Sequence, residues 1–216
     1  MLILGLSSST ARVSVAVGDG ERVLASAASS DDRRHAEDLM PMVVDVLGRA
    51  GCEVADLQRL AVDVGPGRFT GLRVGVATAR ALALALDLEV VPASSLELLA
   101  RAEDARPLGV IIDARRNEVF QQVYTADGGE GPATVGRPEE LLEALPPGAV
   151  LVGDGADRYS EIYDAGGEGR TRLEGREPSA AVLVAVAAER SALPGRSITP
   201  LYLRDPDVQI NIRTRP

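Results

Sequence analysis

Apolar and polar positions alternate with a period of two at the start of the chain. Leu2-Ile3-Leu4-Gly5-Leu6 leads into the Ser-rich turn Ser7 to Thr10. Val13, Val15 and Val17 follow, then the turn Gly18-Asp19-Gly20 and Val23-Leu24-Ala25. Successive side chains on a strand point to opposite faces, so this pattern predicts three antiparallel strands. From His35 to Gly51 the period changes. Leu39, Val43, Val46, Leu47 and Ala50 recur at helical spacing and a glycine closes the run, which predicts a helix. Leu60 to Val64 then reads as a strand, Thr70 to Leu86 as a helix, Glu89 to Pro92 as a strand and Ser95 to Ala102 as a helix, ending a first lobe near Asp104.

The pattern then begins again. Leu108 to Asp113 is a buried-strand run, and Glu118 to Thr125 is a second strand before the turn Ala126-Asp127-Gly128. A shift of 106 positions lays Asp113 on Ser7, Val119 on Val13 and Val123 on Val17, a weak internal repeat. Pro138 to Leu145 and Ser179 to Ser191 read as helices with the strand Val150-Leu151-Val152 between them, and Gly166 to Gly169 as a loop. A meander followed by alternating helices and strands, written twice, is the order of an α/β, ribonuclease-H-like lobe of the actin and hexokinase type. The reading is therefore two such lobes, residues 1–104 and 105–216. Such lobes serve kinases, chaperones and filaments alike, so function has to be read from the sites.

Composition narrows the classes. The chain is 45% apolar with two Phe, four Tyr and no Trp, so its core rests on Ala, Val and Leu. A net charge of -9 argues against a free-standing nucleic-acid binder, which needs a concentrated positive surface. All the basic residues are Arg, which reads as coding bias. Cys52 is the single cysteine and no charged-then-apolar signal segment opens the chain, so a cytoplasmic protein is expected. The apolar run Val74 to Leu86 is interrupted by Arg80 and reads as too short to cross a bilayer.

The densest local signal is Gly65-Pro66-Gly67-Arg68-Phe69-Thr70-Gly71-Leu72-Arg73-Val74-Gly75, a glycine loop between strand and helix with Thr70 as the expected N-cap. Gly65, Gly67, Thr70 and Gly71 form either a tight packing turn or an anion- or nucleotide-contacting loop. No Gly-Lys-Ser/Thr follows, so it is not a Walker loop. From Leu72 to Leu86 only Arg73, Thr78 and Arg80 are polar, and Gly71, Gly75 and Ala79 leave a low surface on this helix. Either the helix is buried between sheet and neighbouring helix, or it shares a partner surface with the preceding one. On the second reading the interface comprises His35, Leu39, Met40, Val43, Val44, Leu47, Gly71, Arg73, Gly75 and Ala79.

The glycine loop and helix, with Val90-Val91-Pro92-Ala93-Ser94-Ser95-Leu96 behind them, resemble the bacterial TsaB family and its catalytic paralogue TsaD. His35 with Leu39-Met40-Pro41, Ile112-Asp113-Ala114-Arg115 with Glu118-Val119, and Pro200-Leu201-Tyr202-Leu203-Arg204 agree with TsaB. Where the paralogue has a His-x-x-x-His metal pair, this chain has Ser95 and Leu99, and it holds one histidine in all. Ser7 stands where nucleotide-using actin-like proteins keep an acidic residue, and Asp113 takes the matching place in the second lobe. The resemblance implies an accessory subunit with no catalytic residue, metal or cofactor of its own. It would pair with TsaD and support the ATPase TsaE, form a homodimer when alone, and meet tRNA only through the complex. The alternative is a stand-alone actin-like phosphotransferase or metallopeptidase-like enzyme. His35 reads as a cap or contact, and Cys52 as packing.

Overall fold

The structure is a computed structural model that describes residues 1–29 and 35–204; the side chains of His35 and Ala36 also lie outside the described residues. Its first sheet is built from β1 (Ile3–Ser7), β2 (Ser14–Gly18), β3 (Val23–Ala28), β4 (Arg59–Asp63), β5 (Glu89–Ala93) and the short β11 (Leu193–Pro194), in the order β11-β5-β4-β1-β2-β3. The first three strands are the antiparallel meander, while β4 and β5 run parallel to β1. Alternation along β1 sorts its side chains between two layers. Leu4 and Leu6 face the core shared with α1 (His35–Ala50) and α2 (Phe69–Leu86), into which Leu39, Val43, Leu72, Val76 and Ala79 also pack. Ile3 faces the other way, onto α7 (Ala180–Glu189), with Ala16, Ala61, Val91, Leu183 and Val184.

The second sheet repeats the first. Strands β6 (Leu108–Arg115), β7 (Glu118–Tyr124), β8 (Thr134–Gly136), β9 (Val150–Val152) and β10 (Thr171–Leu173) lie in the order β10-β9-β6-β7-β8. The helix α3 (Ser95–Arg101) covers one face through Leu96, Leu99 and Ala100, which meet Val110, Ile112 and Phe120. The short helices α4 (Pro138–Leu141), α5 (Asp154–Arg158) and α6 (Ser160–Ala165) lie along the chain on the other side of the repeat, where Ala156 and Tyr163 pack with Ile111 and Val119. Leu98 of α3 packs instead with the first lobe's layer, so one helix serves both cores.

The structure corrects the boundaries in one respect. Residues 180–197, assigned by sequence to the second lobe, pack on the first sheet: α7 fills its open face and β11 extends its edge. The cause is composition, because α7 is apolar nearly all round and only a second layer on an apolar sheet can bury it. Ser14 Oγ accepts from Ala180 N–H at 3.0 Å at the start of this helix. At its end Arg59 donates to Ala187 O and Arg190 O at 2.8 and 3.0 Å. Helix α2 also starts one residue earlier than expected. Thr70 lies inside it and the N-cap is Arg68, whose side chain makes no capping bond. At eighteen residues α2 is long and apolar enough to cross a membrane, longer than the sequence reading allowed, but Gly71, Leu72, Gly75, Val76, Ala79 and Ala83 are packed inside this lobe.

The close approach of α7 depends on Gly5, where an added Cβ would stand 2.8 Å from Ala180 O on the helix backbone. Gly5→Ala is expected to lower stability by about 1–3 kcal/mol. Gly48→Ala, on the exposed side of α1 with nothing within 4 Å of the new methyl, is expected to raise it by about 0.5–1 kcal/mol. Urea unfolding of the two variants checks both signs.

Candidate functional site

The glycine loop folds onto the chain's own first turn. Arg68 N–H donates to Ser9 O at 2.6 Å and Ser95 N–H to Gly65 O at 2.9 Å. A Cβ at Gly67 would collide with the Ser9 carbonyl, so this glycine is a close-approach residue. The anion facing the loop is a carboxylate of the same lobe. Asp63, at the end of β4, is buried and accepts from Gly65 N–H at 2.9 Å and from the hydroxyls of Ser95 at 2.6 Å, Ser7 at 2.7 Å and Ser9 at 2.5 Å. Burial raises its pKa; the donors from Ser9, Ser95, Gly65 and Ser7 oppose that rise. Ser7, which replaces the expected acidic residue, therefore serves a carboxylate supplied by the neighbouring strand. The two positions of the paralogue's metal pair are also spoken for: Ser95 joins this network, and Leu99 is buried in the second-lobe core.

In the second lobe Asp113 accepts from Arg115 N–H at 2.9 Å and lies 3.5 and 3.7 Å from the guanidinium nitrogens of Arg115 and Arg158. It thus organises the strand-end turn, where Arg115, Arg116 and Asn117 all have positive φ. Asp113 N–H donates to Asp154 Oδ1 at 2.9 Å. Burial pushes the Asp154 carboxyl up to about 7, aided by Glu177 and Asp113 and opposed by that N–H and Arg68. Burial likewise raises Glu177. Among the described residues no group of three or more His, Cys, Asp or Glu is arranged to hold a metal ion.

Between the lobes lies a cavity of about 620 Å3 whose walls include Arg68, Phe69, Arg73, Asp113, Arg115 and Tyr202. The guanidinium of Arg73 sits 3.6 Å from the Phe69 ring centre and its Nε donates to Tyr202 OH at 3.0 Å. A positive charge one turn inside the N-terminal end of α2 is unfavourable to the helix dipole, and these rings supply its compensation.

The expected partner surface is redistributed. Leu39, Val43 and Leu47 belong to the lobe's core, because the regular stripe of α1 faces the sheet. Gly71, Gly75 and Ala79 are buried too. The low surface at Gly71 and Gly75 receives the first turn: Ser8 Oγ donates to Gly71 O at 2.8 Å, and a Cβ at Gly75 would overlap that hydroxyl. The side chain of His35 lies outside the described residues. Met40 and Val44 remain outward, 41% and 63% exposed, and Leu84 of α2 is 87% exposed. Asp63, Phe69 and Leu84 did not stand out in the sequence, and the hydroxyl of Ser9, in a turn that reads as bonding its own backbone, bonds the Asp63 carboxylate instead. The one usable signal was a lone carboxylate closing the apolar strand Leu60-Ala61-Val62-Asp63 against a glycine loop.

Fold and site define a two-lobed α/β protein of the actin-like class, with a glycine loop turned onto its own buried carboxylate. The family described as TsaD, tRNA N6-adenosine threonylcarbamoyltransferase, matches residues 22–156. The Escherichia coli tRNA threonylcarbamoyladenosine biosynthesis protein TsaB is 30% identical over 221 residues, covering 95% of each chain. Its Haemophilus influenzae counterpart is 31% identical, covering 95% of this chain and 94% of that one. The structure of YeaZ from Pseudomonas aeruginosa superposes with a TM-score of 0.79 at 29% identity, over 93% of this chain and all of that one. The chain belongs to the TsaB family.

Asp154 gives a pH signature. Its pKa is about 7 folded against 3.8 for a free carboxyl, so between these values the folded chain keeps a proton that the unfolded chain releases, and stability falls as pH rises through this window. Below about pH 4 both states are protonated and the difference vanishes. Asp154→Asn, which can still accept from Asp113 N–H, is expected to stabilise the fold by roughly 1–3 kcal/mol at pH 8 and not at pH 4. Thermal midpoints of both proteins across that range measure it.

Proposed function

We propose that this chain is the accessory, non-catalytic subunit of the assembly that forms threonylcarbamoyladenosine beside the tRNA anticodon. It pairs with the catalytic paralogue TsaD in the cytoplasm, supports the ATPase TsaE, and meets tRNA through that complex. In the absence of the paralogue, two copies pair through the same face. The observation that carries the reading is the apolar face left outside the core by α1 and α2, where Met40, Val44 and Leu84 stand exposed on adjacent helices. The burial of Asp63 among donors of its own lobe supports a supporting role, since that carboxylate is committed to the fold. Full-length similarity to proteins named for threonylcarbamoyladenosine biosynthesis supports the pathway. A stand-alone phosphotransferase or peptidase-like enzyme is disfavoured by Ser7, Ser95 and Leu99 at the positions where such chemistry needs carboxylate or imidazole.

The face is tested with substitutions that leave the core alone. Val44→Asp and Leu84→Asp are expected to weaken association with the co-expressed paralogue at least about tenfold, or about 1.4 kcal/mol, with the thermal midpoint of the free chain nearly unchanged. Gly75→Arg is unsuitable, because it would displace Ser8 and damage the lobe itself. Undiminished association of both Asp variants would move the interface elsewhere, and formation of the modified nucleoside by this chain alone would refute the accessory role.

A further inference from the structure

The chain passes between the lobes three times, at α3, at the return from β10 to α7 and at Leu201–Arg204, and the first and last of these differ in character. One is α3, whose Leu96, Leu99 and Ala100 are buried in the second core while Leu98 is buried against the first. The other is the segment Leu201–Arg204. Leu201 N–H donates to Val64 O at 2.7 Å, and Tyr202 OH accepts from Arg73 with its ring 5.7 Å from that of Phe69. Leu203 then packs against the second core, and Arg204 donates to Ala114 O at 3.3 Å and pairs with Glu118. Two consecutive residues hold the first lobe and the next two hold the second, along the wall of the cavity between them. Ile198, buried in the first core, anchors the segment from behind.

We propose that Leu201–Arg204 is a releasable latch across the cleft. The α3 crossing is buried and apolar and acts as the hinge, whereas the latch is made of partly exposed polar and ring contacts, which are individually weak in water and open first. While it is closed, Arg73 is engaged by Tyr202, and Arg204 by Glu118 and Ala114. Opening of the lobes follows loss of the latch and does not need loss of the hinge.

The test measures lobe separation by electron spin distance between labels at Thr70→Cys and Glu140→Cys in a Cys52→Ser background. The latched chain is expected to give one narrow distribution. Tyr202→Leu with Arg204→Gln is expected to lengthen the mean by about 3 Å or more, the scale of a domain rearrangement, and to broaden the distribution about twofold. Arg73→Gln, which removes the first-lobe anchor without touching the segment, is expected to move it in the same direction. This second variant keeps the test decisive should the double variant fail to fold. An unchanged distribution in folded latch variants, or one equally broad before substitution, overturns the proposal.

Discussion

A carboxylate removed from water has to be held by donors or it expels its charge, and Asp63 meets that constraint by collecting them from separate parts of the first lobe. Ser7 and Ser9 come from the end of β1 and the turn beyond it, Gly65 from the glycine loop, and Ser95 from the start of α3. Each donor fixes the segment that carries it. The turn is held against the loop, the loop fixes where α2 begins, and Ser95 sets the first residue of the helix that leads into the second lobe. The relative placement of both lobes therefore traces back to a single buried acid at the end of a strand.

This arrangement commits the glycine loop of an actin-like frame to the fold itself. The loop that could contact a ligand's anion is turned onto an internal one, and the low surface of α2 is occupied by Ser8. What α1 and α2 leave exposed includes Met40, Val44 and Leu84, set among charged neighbours such as Asp45, Arg49 and Arg80. One side of these helices is packed into the lobe, while the other leaves apolar side chains in water.

The long periodic segments were legible in the sequence. The meander, both long helices and the return of the pattern at Leu108 all follow from spacing, because two or more turns of consistent burial overwhelm local noise. The strands Thr134–Gly136 and Thr171–Leu173 and the helices Asp154–Arg158 and Ser160–Ala165 are too short to carry a period, and tertiary pairing alone defines them. The direction a helix faces was the other illegible quantity. Gly71 and Gly75 announce a close approach but do not say by what, and the answer was a turn 63 residues before Gly71. Asp63 was passed over because a charge inside an apolar run acquires its meaning only from donors distant in sequence.

The return of α7 to the first sheet gives the chain an order of assembly. The second lobe, from Leu108 to Leu173, is enclosed between two parts of the first, whose open face presents Ile3, Ala16, Ala61 and Val91. On a ribosome that face stays uncovered while the whole second lobe is made, and it closes only after Glu189 has emerged. The lobe begun first is thus completed last. An interrupted product ending near Asp104 would be a half-layered sheet with an apolar surface, the kind of species that chaperones hold and proteases remove.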